Sequence, residues 1–344
     1  MTEGKHTSKR AEIMKRAKVS TAVISRVINN SGYVSKEKRE AVIKAMEELN
    51  YKPNPVARSL TTGKTRQILY YVDQLSPYYY IEFYRGMFEY AREYDYIVFV
   101  NNEFQAEQID DLMIDGLVVP ISVYTNYMGV NPGGDKNSID LSKIPYVVYK
   151  YDAADSKDFY SVSVDTGSAM EAVIGYLKSL NHKKIAYVPF DADDNTGRNG
   201  AFRNAMKNGA DDPEDHIIKT DNPYAHNSFE LGIIAANSFY ESKADATAVI
   251  CFNDDIAIGF CQQIQILGYK VPGDVSVVGF NANFIGNYMT PALTSVSFNA
   301  FEHGKKCAEL IIGILENKEL KTKSYTMDFK LVERKSVRKL DPLA

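Results

Sequence analysis

Three short stretches near the start of the chain carry apolar residues at helical spacing. Ile13, Met14 and Ala17 share one face of a segment that Ser8 can cap, and Val23, Ile24, Val27 and Ile28 share one face of Thr21–Asn29 behind Ser20. Ala41, Val42, Ala45, Met46 and Leu49 do the same for Lys36–Leu49, which Ser35 can cap and Asn50 ends before Pro53 and Pro55. Val19 and Ser20 leave only a tight connection between the first two segments. Asn30-Ser31-Gly32 is a turn signal between the second and third. The pattern predicts a helix-turn-helix buttressed by a third helix. Its second helix turns Thr21, Ala22, Ser25, Arg26 and Asn29 outward, a polar face without an acid.

From Gln67 onward the period changes. Apolar runs of strand length (Gln67–Val72, Ile97–Asn101, Leu117–Val119, Val147–Tyr149 and Ser161–Val164) alternate with helical or loop segments, among them the helix Glu82–Tyr94. After a helix at Thr166–Leu180 come a strand at Ile185–Val188 and helices at Arg198–Asn208 and Phe229–Tyr240. A strand at Ala248–Phe252, a helix at Asp255–Leu267 and a strand at Val275–Gly279 continue the series. Such alternation predicts an α/β body of doubly wound parallel sheets, and about 270 residues suffice for two of them. Ligands of these folds bind outside the carboxyl ends of the strands.

Composition changes the picture only when it is divided. The 344 residues carry a net charge of -4, which alone argues against a nucleic-acid partner. Residues 1–66, however, hold 15 Lys+Arg against 6 Asp+Glu, a net of +9, and the remainder carries -13. A compact basic segment on an acidic body is the asymmetry of a nucleic-acid-binding head.

The wording of that head is specific. Ala17–Thr65, AKVSTAVISRVINNSGYVSKEKREAVIKAMEELNYKPNPVARSLTTGKT, closely resembles the DNA-binding head and hinge of the LacI/GalR family of bacterial transcription regulators. The resemblance implies that Thr21, Ala22 and Arg26 read bases, while Ser20, Ser25, Asn29, Tyr33 and Tyr51 position the backbone. It further implies a hinge helix over Asn54–Leu60 that forms when two subunits meet on an operator. Ala57 would permit close approach there, and Leu60 would act as an apolar wedge in the minor groove. Lys18 stands where the family usually has glycine, and Arg10 where it usually has an apolar residue.

The body resembles the same family. Ala248–Ser295 follows its ND-x-x-A, LG, VP-x-D-x-S-V and GFD run, with Asn281 in place of the aspartate. Asn195–Met206 follows R-x-x-G-F with Ala201 in place of the glycine, and Asn181 takes a glycine position that requires positive φ. The implied fold is a three-helix helix-turn-helix domain plus hinge helix, then two doubly wound parallel-sheet subdomains like those of periplasmic binding proteins. The head would span residues 1–49, the hinge and linker 50–66, and the effector-binding and dimerisation core 67–340. Within the core, an N-subdomain of 67–163 and 292–323 and a C-subdomain of 164–291 and 324–340 would be joined by crossovers near Ser163, Pro291 and Lys323. The effector positions that transfer are Tyr78 and Tyr79, placed with Pro77 in the loop after the first strand, then Arg198, Tyr224, Asn253 and Asn281. Lys150 replaces an aspartate common in the family. Loss of two acids from one cleft points toward an anionic effector, such as a sugar phosphate or sugar acid.

Other classes are opposed by what the chain lacks. Cys251, Cys261 and Cys307 stand in no metal-ligand spacing. No G-x-G-x-x-G opens a helix, and His6, His182, His216, His226 and His303 form no H-x-x-x-H or nucleophile pairing. Neither an enzyme nor a cofactor or metal is expected. MTEGKHTSKR lacks the apolar core of a secretion signal and no stretch reads as a membrane span, so the expectation is a cytoplasmic protein. The ending DPLA carries no leucine heptads, so a homodimer rather than a coiled-coil tetramer is expected. The expected partners are a pseudo-palindromic double-stranded operator and a small effector, the function being repression of a carbohydrate-utilisation operon. The competing reading within the family is a corepressor-dependent or dual regulator answering to a non-sugar metabolite or a protein.

Overall fold

The computed structural model describes residues 9–29, 31–52, 59, 63–72, 78–102, 109, 112–125, 144–151, 158–191, 197–207, 212–220 and 227–342. The chain divides into two compact units, Met1–Arg66 and Gln67–Ala344.

In the first unit, α1 (Lys9–Ala17), α2 (Thr21–Ile28) and α3 (Lys36–Glu48) close around Ile13, Ile24, Val27, Val42 and Ala45. These are the apolar positions that the helical period selects. Ser20 caps α2, its Oγ accepting from the Val23 N–H at 3.4 Å. Ser35 occupies the N-cap position of α3, but its side chain makes no capping bond there. Lys18 adopts φ 51, the left-handed backbone that glycine enters without steric cost, so the connection into α2 holds a strained lysine.

The second unit contains two sheets. The first is built from β1 (Gln67–Tyr71), β2 (Ile97–Asn101), β3 (Gly116–Pro120), β4 (Tyr146–Lys150), β5 (Tyr160–Val164) and β10 (Ser324–Met327), in the order β10-β5-β4-β3-β1-β2. Every pair in it is parallel. The second is built from β6 (Ile185–Val188), β7 (Ala248–Cys251), β8 (Ser276–Phe280), β9 (Thr294–Ser297) and β11 (Lys330–Val332), in the order β11-β9-β8-β7-β6, with only β11 antiparallel. Fully buried strands such as β3 (GLVVP) and β8 (SVVGF) are mostly apolar and carry no charge, as parallel sheets covered on both faces require.

Helices cover the two sheets. α4 (Tyr78–Glu93) and α9 (Ala300–Leu315) pack as a pair on the first; α5 (Thr166–Ser179), α6 (Gly197–Met206), α7 (Ser228–Glu241) and α8 (Asp254–Ile266) belong to the second. Both lobes use the same device to bring a helix pair into backbone contact. A Cβ on Gly86 would overlap the Phe301 carbonyl, and one on Gly304 the Phe83 carbonyl. In the second lobe Gly232 faces the Ile256 carbonyl and Gly259 that of Phe229.

Two of the expected crossovers move. β9 pairs with β8, Thr294 opposite Val278, so the chain has not left the second sheet at Pro291. β10 pairs with β5, Ser324 opposite Ser161, so it has not left the first at Lys323. The crossings therefore lie between β5 and α5, between Ser297 and Ala300, and between Met327 and Lys330. Proline and lysine mark turns, whereas sheet membership is decided by backbone pairing far along the chain. Asn181 has φ 70, as its glycine-like position requires. Among the described residues no helix is long and apolar enough to cross a membrane.

Candidate nucleic-acid interface and effector cleft

The outward face of α2 is built by its own periodicity. Ile24 and Val27 go into the head core, which leaves Thr21, Ala22, Ser25, Arg26 and Asn29 along the opposite side. Ser20, Thr21, Ala22 and Arg26 are exposed, and Ser25 and Asn29 are half-buried. The Thr21 hydroxyl donates to the Met14 sulfur at 3.1 Å, and Asn29 Nδ2 donates to Ser25 Oγ at 3.3 Å. The stem of Arg26 passes 3.5 Å from where a Cβ on Gly32 would sit; Gly32 has φ 65, so the turn closes behind the arginine without a side chain in its way. Tyr33 is 88% exposed, whereas Tyr51 packs half-buried against the head core. Asn54, Ala57 and Leu60 lie outside the described residues.

In the body, Arg198 is the centre of the candidate cleft. It is the second residue of α6 and is 5% exposed. Its Nη1 donates to the Phe252 carbonyl and its Nη2 to Asn281 Oδ1, each at 2.7 Å. The rings of Phe252, Phe280, Phe298 and Tyr151 lie 5.0, 5.2, 5.5 and 5.9 Å from the guanidinium carbon. Tyr151 follows β4, Phe252 follows β7 and Asn281 follows β8, so the groups converge at strand carboxyl ends from both lobes. Asn281 reaches Arg198 from a backbone with φ 99.

The other expected positions divide. Tyr78 and Tyr79 are the first residues of α4 rather than loop residues, because the helix begins one turn before the apolar period becomes clear at Glu82. Tyr78 stays half-buried, donates to Glu82 Oε1 at 2.8 Å and sets its ring 4.6 Å from that of Phe284 in the second lobe. Tyr79 is buried, and its hydroxyl is 2.7 Å from His303 Nδ1. His303 Nε2 lies 3.2 Å from the Val162 carbonyl, so that nitrogen carries the proton and Nδ1 accepts from the tyrosine. Asn253 caps α8, its Oδ1 accepting from the Ile256 N–H at 2.8 Å and its Nδ2 reaching Ser228. Lys150 is buried as the last residue of β4. Pro77 and Tyr224 lie outside the described residues.

The sequence reading missed Tyr80, Tyr151, Phe252, Phe280 and Phe298. Tyr80 and Tyr151 share a hydrogen bond between hydroxyls at 2.9 Å. Their signal was available in part: Phe252 ends the expected strand Ala248–Phe252 and Tyr151 lies two residues beyond the expected strand Val147–Tyr149, at the carboxyl ends where doubly wound sheets place ligands.

Beside the cleft, Asp254 accepts from Ser295 Oγ at 2.5 Å and from the Asn283 N–H, tying the loop after β8 to α8. Burial pushes its carboxyl up to about 7 against these hydrogen bonds, and Asp255 adds to the rise. Burial pushes His303 down to about 4. The signs oppose each other. A raised carboxylate binds its proton better in the folded chain, so its stabilisation is present in acid and fades as pH rises through about 7. A depressed histidine favours the folded chain fully above about 6.5, its unfolded value, and loses that contribution as pH falls from there to about 4. Asp254→Asn, which keeps an acceptor for Asn283 and a donor that Ser295 can receive, is therefore expected to remove the fall that this group imposes between about pH 4 and about pH 7, so that its unfolding midpoint gains on the wild type across that window and keeps a constant offset above it. Parallel thermal-melt curves for the variant and the wild type would rule out that assignment.

The geometry defines a class: a helix-turn-helix reader with an α/β sensor body whose two lobes meet over an arginine. Comparison places it within that class. Residues 11–54 match the pattern described as bacterial regulatory proteins of the lacI family, and residues 174–337 match a periplasmic binding protein-like domain. The HTH-type transcriptional repressor PurR of Vibrio parahaemolyticus is 30% identical over 344 residues, covering 96% of this chain and 98% of its own. The HTH-type transcriptional regulator RegA of Clostridium saccharobutylicum is 28% identical, covering 94% and 98%. Among solved structures, the lac repressor dimer bound to operator and an anti-inducer aligns with TM-score 0.73 at 19% identity over 96% of this chain and 99% of that one. A CelR–cellobiose complex aligns with TM-score 0.65 at 20% identity over 96% and 100%. The chain belongs to the LacI family of bacterial regulatory proteins. It is a DNA-binding transcriptional repressor, and its relatives are regulators rather than enzymes.

Proposed function

We propose that this chain is a homodimeric repressor of a carbohydrate-utilisation operon, released or retained on its operator by a small sugar-type effector bound between the lobes. The observation that carries the reading is the pairing of an exposed, acid-free α2 face on a +9 head with a body whose lobes converge on Arg198. Thr21, Ala22 and Arg26 read bases; Ser20, Ser25, Asn29, Tyr33 and Tyr51 hold the phosphate backbone. Asn54, Ala57 and Leu60 form the hinge that enters the minor groove. Arg198 and Asn281 contact the effector, with Tyr78, Lys150 and Tyr224 around them, while Tyr79 and Asn253 act by holding the walls. Linkage then requires that operator and effector shift each other's affinity by the same factor.

Footprinting tests this directly. Protection of a pseudo-palindromic site that changes with added sugar is expected. Protection without two-fold symmetry, or a body that no small molecule affects, would sink the reading. In the same assay Leu60→Ala is expected to weaken specific binding more than non-specific binding, by about 1–3 kcal/mol, because only the specific complex needs the kinked step. Equal losses on both DNAs would remove the wedge.

A further inference from the structure

Resting on that reading of the cleft, we propose that the effector carries an anionic group which docks on Arg198, and that the neutral amide of Asn281 sets this charge preference. The guanidinium is held out of water at 5% exposure, yet both nitrogens that find partners donate to groups without formal charge, Phe252 O and Asn281 Oδ1. Its buried Nε has no hydrogen-bond partner. Among the described residues no carboxylate pairs with it.

Two buried acids that follow β7, Asp254 and Asp255, are engaged elsewhere. Asp254 is held by Ser295 and Asn283, and Asp255 accepts from Asn283 Nδ2 at 3.1 Å. Withdrawing a cation from water is costly unless it is paired, and the four ring faces around it offset only part of that cost. A carboxylate or a phosphate completes the fork, with charge-assisted bonds stronger than any that a sugar hydroxyl makes. Access lies where Tyr80, Tyr151, Phe252 and Asn281 are each partly exposed around the buried guanidinium.

Asn281 decides the sign because its Oδ1 is already on Arg198. In Asn281→Asp the same atom becomes a countercharge and the pair is neutral without any ligand. Asn281→Ser removes that acceptor but adds no charge, so it separates charge from shape.

The test uses the full chain and two probes, inorganic phosphate and acetate, titrated calorimetrically with chloride holding ionic strength constant. Binding of at least one probe to the wild type is expected, and which one binds tells phosphate from carboxylate chemistry. Asn281→Asp should weaken it by about tenfold or more, and Asn281→Ser should retain it. Cooperative unfolding of each variant establishes that it is folded. No anion binding above the chloride control, or equal binding by wild type and Asn281→Asp, overturns the proposal. A gel shift keeps the two readings apart. If a neutral sugar moves operator affinity equally in wild type and Asn281→Asp, the cleft reading stands and the anion is wrong. If the anion binds in an Asn281-dependent way but leaves operator affinity unchanged, the anion site stands and the effector reading fails.

Discussion

Alanine at Gly86 or Gly304 is expected to destabilise the first lobe by about 3 kcal/mol or more, among the larger single-methyl effects available in this chain. α4 and α9 meet backbone to backbone, each glycine facing the other helix's carbonyl, at Phe301 and at Phe83. A methyl group there cannot rotate away, because the obstructing atoms are main chain. The helices must separate, and the packing of Phe83, Cys307 and Ile311 between them and the sheet is lost with the separation. Gly175 in α5 is the control, since a Cβ there would meet nothing within 4 Å. Gly175→Ala should be neutral or stabilising by roughly 0.5–1 kcal/mol, through helix propensity alone. Urea unfolding of the three variants measures this. Equal midpoints for Gly86→Ala and Gly175→Ala would mean that the two helices are not in contact as described.

The second large effect belongs to Arg26. Replacing it by alanine is expected to cost about 1–3 kcal/mol of operator affinity and to relax base preference at one position of each half-site. The side chain is exposed on α2, with its stem laid over the turn at Gly32, so its fork is free of the head core and can meet a guanine edge in a bidentate pair. Arg26→Lys should recover phosphate attraction without the selectivity. Lys18→Ala, removing an exposed charge away from that face, should weaken all sequences alike and lower the salt slope by about one unit. A gel-shift series over single-base operator variants reads all three. A uniform loss for Arg26→Ala across every base would reassign that residue to backbone positioning.

Much of this was legible from residue order. The three head helices begin and end within a residue or two of their predicted bounds, since short amphipathic segments separated by turn signals leave little freedom. β2 and β6 coincide with their expected spans because each is a continuous apolar run, although β6 is fully buried while β2 is an edge strand with only Val98 buried. β9, β10, β11 and α9 were not anticipated. β10 and β11 read SYTM and KLV, short half-buried edges whose polarity resembles loop, and their identity comes from partners more than a hundred residues and about thirty residues away respectively.

The candidate site shows the same division. Arg198 and Asn281 were named from motif position, and they meet at 2.7 Å. Tyr79 is expected as an effector contact and instead points its hydroxyl at His303, 224 residues on, because α4 packs against α9. Asn253 was named as a ligand contact and its carboxamide oxygen is taken by its own helix. Motif spacing locates a residue on the correct strand end; which way its polar atoms turn depends on neighbours that spacing does not encode.

By itself the sequence determined the division of charge, the reading helix and its outward residues, the alternating body and the family. Those features are local, set by periods of two and of 3.6 residues, by turn residues and by the sign of side chains within a short window. Only the tertiary structure decided where the chain passes between lobes, which glycines permit helix contact, and that the cation at Arg198 is buried with no countercharge among the described residues. These depend on backbone hydrogen bonds and burial between segments distant in the chain, which the residues express only once the sheets have formed. The net charge at the head is a property of its composition, whereas the burial of Arg198 against the neutral acceptors Phe252 O and Asn281 Oδ1 is a property of the fold.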